Sequence, residues 1–516
     1  MSTQTRSHVA ATLPHFFPDV LPEHLVQGCS DLPPVTAMTR QQVSDLLVSP
    51  TFDAWSEALV RVGNCAHPIR LRGRSETVDT ATGEIVSTYS SEQQPLGVTH
   101  VRCGNRRASE CPSCSRLYAA DMFQLIRAGV AGGKTVPESV AQNPLVFVTL
   151  TAPSFGPVHG QRDGGRRCHS HAGNHPTCAH GRPRTCLASH AEDDPALGQP
   201  MCGDCYDYAS QLVWQWWAPD LWRRFTIALH RLLAKHMGVP ANRLAQVATV
   251  QYAKVAEYQL RGVVHFHALV RLDGPRTPDG FATAPRSIDV ARLADLARVA
   301  ASTVRLKVPG IDPADASRIL AFGRQLDARP VRSSRRTDDT DRALTPEQVA
   351  GYLAKYATKS ATDTGATDNA HHRRLRATAR ALAIRADAAG EESYELLGKW
   401  AHMLGFRGHF ASKSRRYSVT LGALRRARRR AQTLIAQSRA EGRPLDLAAL
   451  EADLLAEDDT ETTLVIGNWH YVGSGWDTEA ERVLAIAAAA RAREYAQWRA
   501  QQRNRIGPKR HIVRRG

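Results

Sequence analysis

The chain has 516 residues, 42% of them hydrophobic, which is enough for two or three domains with a sizeable core. It carries 67 Lys and Arg against 50 Asp and Glu, a formal net charge of +17 with a pI near 9.7, so the expected partner is a polyanion bound through counterion release from phosphates. No apolar run reaches the roughly eighteen residues of a membrane span, and the first residues (MSTQTRSHVAATLPHFFPDV) lack a hydrophobic leader core, so no membrane is expected and the cytoplasm is the expected compartment.

That compartment keeps thiols reduced, so ten cysteines grouped in CxxC patterns read as metal ligands, with Cys29 standing apart. Residues 1–60 show modest helical patterning and no recognisable chemistry. Residues 61–135 are loop-rich and hold Cys103, Cys111 and Cys114, three thiolates for which Cys65 is the available fourth. A structural tetrahedral zinc fits, presenting Arg102, Arg106 and Arg107 to phosphate. Residues 131–135 (AGGKT) imitate a phosphate-binding loop, but Ala128 stands where its first glycine belongs, so an ATPase is excluded.

A strand is predicted over residues 145–151, ended by Pro153. Residues 157–205 then abandon periodicity for Gly, Pro, His and Cys, and are either disordered or tied together by metal. Cys202 and Cys205 form the firm half of a second zinc site. Their partners are Cys186 with His190, or Cys178 with Cys186; Cys168 and His180 lie nearby, and one ion is expected although the ligands suffice for two. A helix is predicted over Tyr208–His236, carrying Trp214, Trp216, Trp217 and Trp222 to pack on a sheet. Residues 246–272 read as two apolar runs around a turn at Gln259, Leu260, Arg261 and Gly262.

Strand alternation in the second run aims His265 and His267 to one face and Phe266 to the other. Glu257 joins them if the turn is bulged or three residues long, and lies opposite if it is a strict two-residue turn. Two histidines and a carboxylate leave coordination positions open for substrate oxygens and suit Mg²⁺ or Mn²⁺ acting on a phosphodiester. Residues 288–307 are helical and 324–342 a polar linker. A further helix is predicted over residues 345–359, with Thr345 as N-cap, Pro346 at its first position and Gln348 completing a capping box. Its repeat puts Tyr352 with Tyr356, and Lys355 with Lys359, on shared faces. A tyrosine hydroxyl of pKa about 10 is a poor nucleophile until nearby cations favour the phenolate. Attack on DNA would leave a 5′-phosphotyrosine and a 3′-hydroxyl primer, and two tyrosines permit two successive transfers. Residues 421–516 form a basic, mostly helical C-terminal region, where Arg415 and Arg416 just before it and Arg425 and Arg426 within it are candidate contacts to the DNA backbone.

Residues 147–151 (FVTLT), Glu257 with His265 and His267, and residues 352–359 (YLAKYATK) together resemble the three motifs of HUH-class rolling-circle replication initiators. The last closely resembles the two-tyrosine form of the phage gene A nickases. From Cys65 to Trp476, including CPSC at 111–114, CGDCYDY at 202–208 and GFRGHF at 405–410, the chain is similar to initiators of actinobacterial plasmids and integrative elements. The resemblance implies an α+β protein. An HUH nickase domain over 140–420, interrupted by the zinc insertion at 157–205, would carry a five-stranded antiparallel sheet with the histidines on a central strand and the tyrosines on a nearby helix. It also implies nicking of one strand at a double-strand origin, with Tyr356 as first nucleophile and Tyr352 as second. Thr149, Thr151 and Arg407, within the matching motifs, are expected at the DNA, and a host or plasmid helicase separates the strands. A two-tyrosine HUH transposase would share this chemistry. A zinc-stabilised DNA-binding regulator would bury the same histidines and tyrosines in a core.

Overall fold

The helical patterning near Gln41 resolves into two helices, Ala37–Val48 (α1), capped by the Thr36 hydroxyl, and Phe52–Arg61 (α2). The computed structural model describes residues 36–94, 96–162, 165–170, 175–278, 280–331, 346–357, 369–442 and 463–506. Cys29, Thr345 and Lys359 lie outside the described residues. The segment expected to be loop-rich contains three strands, Ile69–Asp79 (β1), Ile85–Ser90 (β2) and Thr99–Val101 (β3), with β2 and β3 each antiparallel to β1. Composition hid them. β1 reads IRLRGRSETVD, in which the apolar places of the alternation hold Ile69 and Leu71 and then give way to Gly73, Ser75 and Thr77, and none of its residues is fully buried. Pro112–Ala131 (α3) follows. Gly132 and Gly133, both at positive φ, end that helix, whereas a phosphate-binding loop precedes one.

Residues 119–456 form one compact unit, and residues 1–118 with 457–516 form the other. In the first of these, Leu145–Leu150 (β4), Thr249–Tyr258 (β5), Val264–Asp273 (β6), Leu326–Pro330 (β7) and Ala411–Lys413 (β8) build a five-stranded antiparallel sheet in the order β7-β4-β6-β5-β8. The histidine strand β6 is therefore central. β7 falls in the stretch expected to be a linker. It is a short edge strand, LDARP, whose closing proline and charged residues read as loop because only one side of it is paired.

The helix Tyr208–His236 (α4) covers one face of the sheet, and its side chains decide which face is which. Trp214, Trp216 and Trp222 are buried, and the Trp222 ring lies 5.3 Å from Tyr252 and 5.9 Å from Phe266. The tryptophans thus fill the core under α4 together with Phe266, Ala268 and Val270 of β6. Val290–Thr303 (α5) and Ala370–Ala388 (α7) add to the same core, while Pro346–Ala357 (α6) begins at Pro346, the position expected for it.

Alternation sends His265, His267 and Arg271 to the opposite face. There Arg271 is fully buried, with Nε and an Nη of its guanidinium donating to Asp273 at 2.7 and 2.8 Å, and Asn143 donating to the same carboxylate at 2.7 Å. The guanidinium also binds the Gly129 carbonyl and lies 5.3 Å from the Tyr417 ring. A Cβ at Gly129 would collide with that ring, so the glycine lets α3 approach closely.

The basic C-terminal region is divided between the two units. Leu421–Ala440 (α8) is a helix with no buried residue in the 119–456 unit. Thr463–Ser474 (β9) and Glu479–Ile506 (α9) belong to the other unit, where β9 pairs with β1 from Ile69↔Ser474 to Asp79↔Thr463. The units therefore do not follow the expected boundaries at 135–140 and 421, because a strand far along the chain returns to pair with β1. Among the described residues no helix is long and apolar enough to cross a membrane.

Asp273→Ala leaves the Arg271 guanidinium buried without its carboxylate, and equilibrium unfolding of the full chain should show a loss of about 3–5 kcal/mol. A loss below about 1 kcal/mol, the worth of an exposed pair, would contradict the buried-pair assignment.

Candidate active site

The site begins with a register. β5 and β6 pair so that Glu257 lies directly across from His265 and Val255 from His267. The connection spans residues 259–263, closed by Gln259 N–H donating to Val263 O at 2.9 Å and Gly262 N–H donating to Gln259 O at 2.8 Å. It is longer than a two-residue turn, and it places Glu257 on the histidine face. Gly262 sits at φ +71°, where a Cβ would also crowd Leu404, Leu375 and His372.

Four buried polar side chains hold this turn, and sequence patterning did not single them out. From α4, Gln211 and Gln215 donate to the Gly262 carbonyl at 3.2 and 3.1 Å, and the Gln215 carbonyl oxygen accepts from Val264 N–H at 2.9 Å. From α7, His371 Nε2 donates to Arg261 O at 3.0 Å and His372 Nε2 to Leu260 O at 3.2 Å. Burial pushes the His371 pKa down to about 4, so it stays neutral and keeps its tautomer. The available signals were two glutamines one turn apart in an apolar, Trp-rich helix, and a His-His pair just after the helix cap Asn369.

On the open face, Glu257 Oε2 lies 2.9 Å from His265 Nε2 and 3.0 Å from His267 Nε2, and the two imidazole nitrogens are 3.1 Å apart. An octahedral ion with bonds of about 2.1 Å has adjacent ligand atoms about 3.0 Å apart. The three atoms thus match one face of an octahedron and leave the opposite face for oxygens, so Mg²⁺ or Mn²⁺ fits the donor set. The Thr149 hydroxyl lies 3.1 Å from His267 Nδ1, which fixes the ring and turns Nε2 toward the site. Burial opposes ionisation of Glu257, but hydrogen bonds from the two imidazoles outweigh it and hold the carboxyl at about 2. Burial also lowers the His267 pKa, against the pull of Glu257, and so favours the neutral, ligating ring.

Helix α6 brings Tyr352 to this group. Its hydroxyl is 3.2 Å from His267 Nε2, and its ring meets Phe147 edge-on at 5.7 Å while Phe147 stacks on His267 at 5.5 Å. Tyr352 is 36% exposed. Lys355, on the same helix, is exposed. Tyr356 belongs to α6 by its backbone, and its side chain lies outside the described residues.

The residues expected at DNA divide. The Thr149 hydroxyl faces His267, and Thr151, buried, donates to Gln325 O at 2.7 Å; both act inside the fold. Arg407 packs over Trp216 and Trp217 at 4.6 and 5.2 Å and pairs with Asp220 at 2.7 Å. Arg415, Arg416, Arg425 and Arg426 are exposed and remain available to a phosphate backbone.

In the other unit Cys65, Cys103, Cys111 and Cys114 converge, with Cys65 Sγ 3.7 Å from Cys111 Sγ and 3.6 Å from Cys114 Sγ. A zinc tetrahedron with bonds of about 2.3 Å has sulfur–sulfur edges of about 3.8 Å, so these four thiols could hold one ion. Backbone N–H groups of Ala66, Cys103 and Asn105 donate to the sulfurs at 3.3–3.4 Å. In the 157–205 segment the expected set of Cys178, Cys186, His190, Cys202 and Cys205 does not meet at one point. Cys178, Cys202 and Cys205 gather with His180, whereas Cys186 and His190 gather with Cys168 and His159. His159 lies nine residues before Cys168, outside any CxxC spacing, and nothing local marked it.

A family model described as "Replication initiator protein, pSAM2" matches residues 51–490. The chain is 42% identical over 479 residues, 88% of its own length and 94% of the relative's, to a Streptomyces ambofaciens protein named "Replication initiator protein". No solved structure matches.

Thr149→Val should weaken Mn²⁺ binding about 10–100-fold through the freed His267 ring, read by titration calorimetry on the folded full chain. Unchanged affinity would contradict the orienting role of Thr149.

Proposed function

The chain belongs to the pSAM2-type replication initiator family, and from that premise we propose that it is an HUH-class nickase that opens one strand of its origin through a tyrosine. The observation that carries this reading is the Tyr352 hydroxyl 3.2 Å from His267 Nε2, at the edge of the Glu257, His265 and His267 group. A Mg²⁺ or Mn²⁺ ion held by those three ligands would supply Lewis acidity at the scissile phosphate.

The chain's own residues do the rest. Thr149 fixes His267, and Phe147 braces both the His267 ring and the Tyr352 ring, so the nucleophile is positioned before DNA arrives. The Tyr352 oxygen bonds to phosphorus as the P–O3′ bond breaks, and the phenolic proton ends on the released 3′-hydroxyl. The 5′-phosphotyrosine stores the bond energy, and attack by a later 3′-hydroxyl reverses the step and closes the strand. Lys355, three residues after Tyr352 on α6, adds positive charge near the phosphate, and Lys359, outside the described residues, is assigned the same role from the sequence alone. Tyr356, one turn on, serves the second transfer. Sequence resemblance ranks Tyr356 first; the hydroxyl contact to His267 supports Tyr352 in that place.

The exposed Arg415, Arg416, Arg425 and Arg426 are assigned to origin backbone contacts, consistent with the net charge of +17. Unwinding is assigned to a separate helicase.

The test is nicking of a supercoiled plasmid carrying the element's own origin, with Mn²⁺ present. Tyr352→Phe and His267→Ala should each reduce nicking to background while origin binding is kept, and Tyr356→Phe should nick but accumulate unclosed product. Full nicking by Tyr352→Phe would remove Tyr352 from the first step, and full nicking by His267→Ala would remove the metal group.

A further inference from the structure

Among the described residues of 157–205 there is no α-helix and no strand of the sheets, and the buried ones are Cys168, His190, Leu197, Gly198 and Cys202. Apolar burial this small cannot hold a segment of that length, so its order must come from elsewhere. Two groups of metal-ligating atoms lie within it, each with all ligand atoms inside 4.8 Å: His159, Cys168, Cys186 and His190 in one, Cys178, His180, Cys202 and Cys205 in the other.

The spacings suit zinc. In the first group His159 Nδ1 is 3.2 Å from His190 Nε2 and 3.9 Å from Cys168 Sγ, and Cys186 Sγ is 3.4 Å from His190 Nε2. In the second, His180 Nδ1 is 3.2 Å from Cys205 Sγ and 3.8 Å from Cys202 Sγ. A zinc tetrahedron of nitrogen and sulfur ligands has edges of about 3.3–3.8 Å. The surroundings are those of ligands. Asp194 lies 2.6 Å from His190 Nδ1 and so turns Nε2 inward, Gly160 N–H donates to Cys168 Sγ at 3.3 Å, and a tight turn closes at Cys178, with Gly181 N–H donating to its carbonyl at 2.9 Å.

The order along the chain gives the pattern its meaning. The first pair of ligands serves the first group, the next pair the second, the next pair the first again, and the last pair the second. The loop from Cys168 to Cys186 contains Cys178 and His180, and the loop from His180 to Cys202 contains Cys186 and His190. We propose that this segment is a cross-braced module holding two zinc ions, a Cys₂His₂ ion on His159, Cys168, Cys186 and His190 and a Cys₃His ion on Cys178, His180, Cys202 and Cys205. Each ion closes a loop that carries ligands of the other, so neither half is a separate finger, and loss of either ion loosens both.

Native mass spectrometry of the full chain, purified reduced and without chelator, counts the ions. A variant with Cys168, Cys178, Cys186 and Cys202 all changed to Ser should carry two fewer zinc ions than the wild type, whether or not the segment stays folded. A deficit of one or none overturns the proposal. The division of ligands is read on the wild-type chain exchanged into ¹¹³Cd. Apart from the all-sulfur signal of the Cys65 group, two resonances are expected, one in the range for two sulfurs and two nitrogens and one in the range for three sulfurs and one nitrogen. A single additional resonance, as one ion shared by Cys186, His190, Cys202 and Cys205 would give, overturns it.

Discussion

Everything at the metal group depends on one strand register, Glu257 opposite His265. Side chains alternate across a strand, so a slip of one residue would send Glu257 to the α4 side and leave two histidines without their carboxylate. Short hairpins fix register through their turns, and this turn is anchored from outside by α4 and α7. Gln211, Gln215, His371 and His372 are buried, so each left unpaired by a slip would cost about 1–3 kcal/mol. The penalty falls on the competing registers, and the placement of Glu257 beside His265 and His267 follows from it.

That register places a carboxylate between two imidazoles at close to 3 Å in a half-buried site. Burial alone would favour a neutral carboxyl, and the imidazoles reverse that preference, so the group stands ready for a cation. The sheet supplies neighbours on both sides. β4 brings Thr149 and Phe147 to His267, and α6 lays Tyr352 across Phe147. The 157–205 segment adds support from the turn end, where Gly198 at φ +78° abuts the backbone of Leu260 and Arg261 too closely for a Cβ. Asp204 and Arg374 pair at 2.9 Å between that segment and α7, the helix that holds the turn. The 157–205 segment thus touches both the β5–β6 turn and the helix that holds it.

Much of this was legible because it is local. Period-two alternation sends His265 and His267 to one face, the 3.6-residue repeat gives α4 and α6, and the CxxC at Cys111 and Cys114 marks a candidate metal group. Pairings between distant segments left no such trace. β1 and β9 meet from far ends of the chain, β1 rich in charge and β9 with largely exposed apolar residues such as Leu464, Val465 and Ile466, and β7 resembles a loop because it is an edge. The cysteines of 157–205 could be counted but not partitioned, since residues of two candidate groups that alternate along the chain give no spacing signature and His159 carries none at all. Thr149 and Thr151 were expected at DNA, and only tertiary geometry revealed that their hydroxyls face His267 and Gln325.

Tyr352 is proposed to take up DNA beside the histidine strand, and the chain permits a direct reading. Trypsin cuts after Lys355, so Tyr352 falls in residues 343–355 and Tyr356 in residues 356–359. Wild-type protein incubated with Mn²⁺ and a single-stranded origin oligonucleotide, then digested with nuclease and trypsin, should show a nucleotide-bearing peptide 343–355 in mass spectra. An adduct confined to 356–359, or to any peptide away from α6, would contradict the geometry at His267.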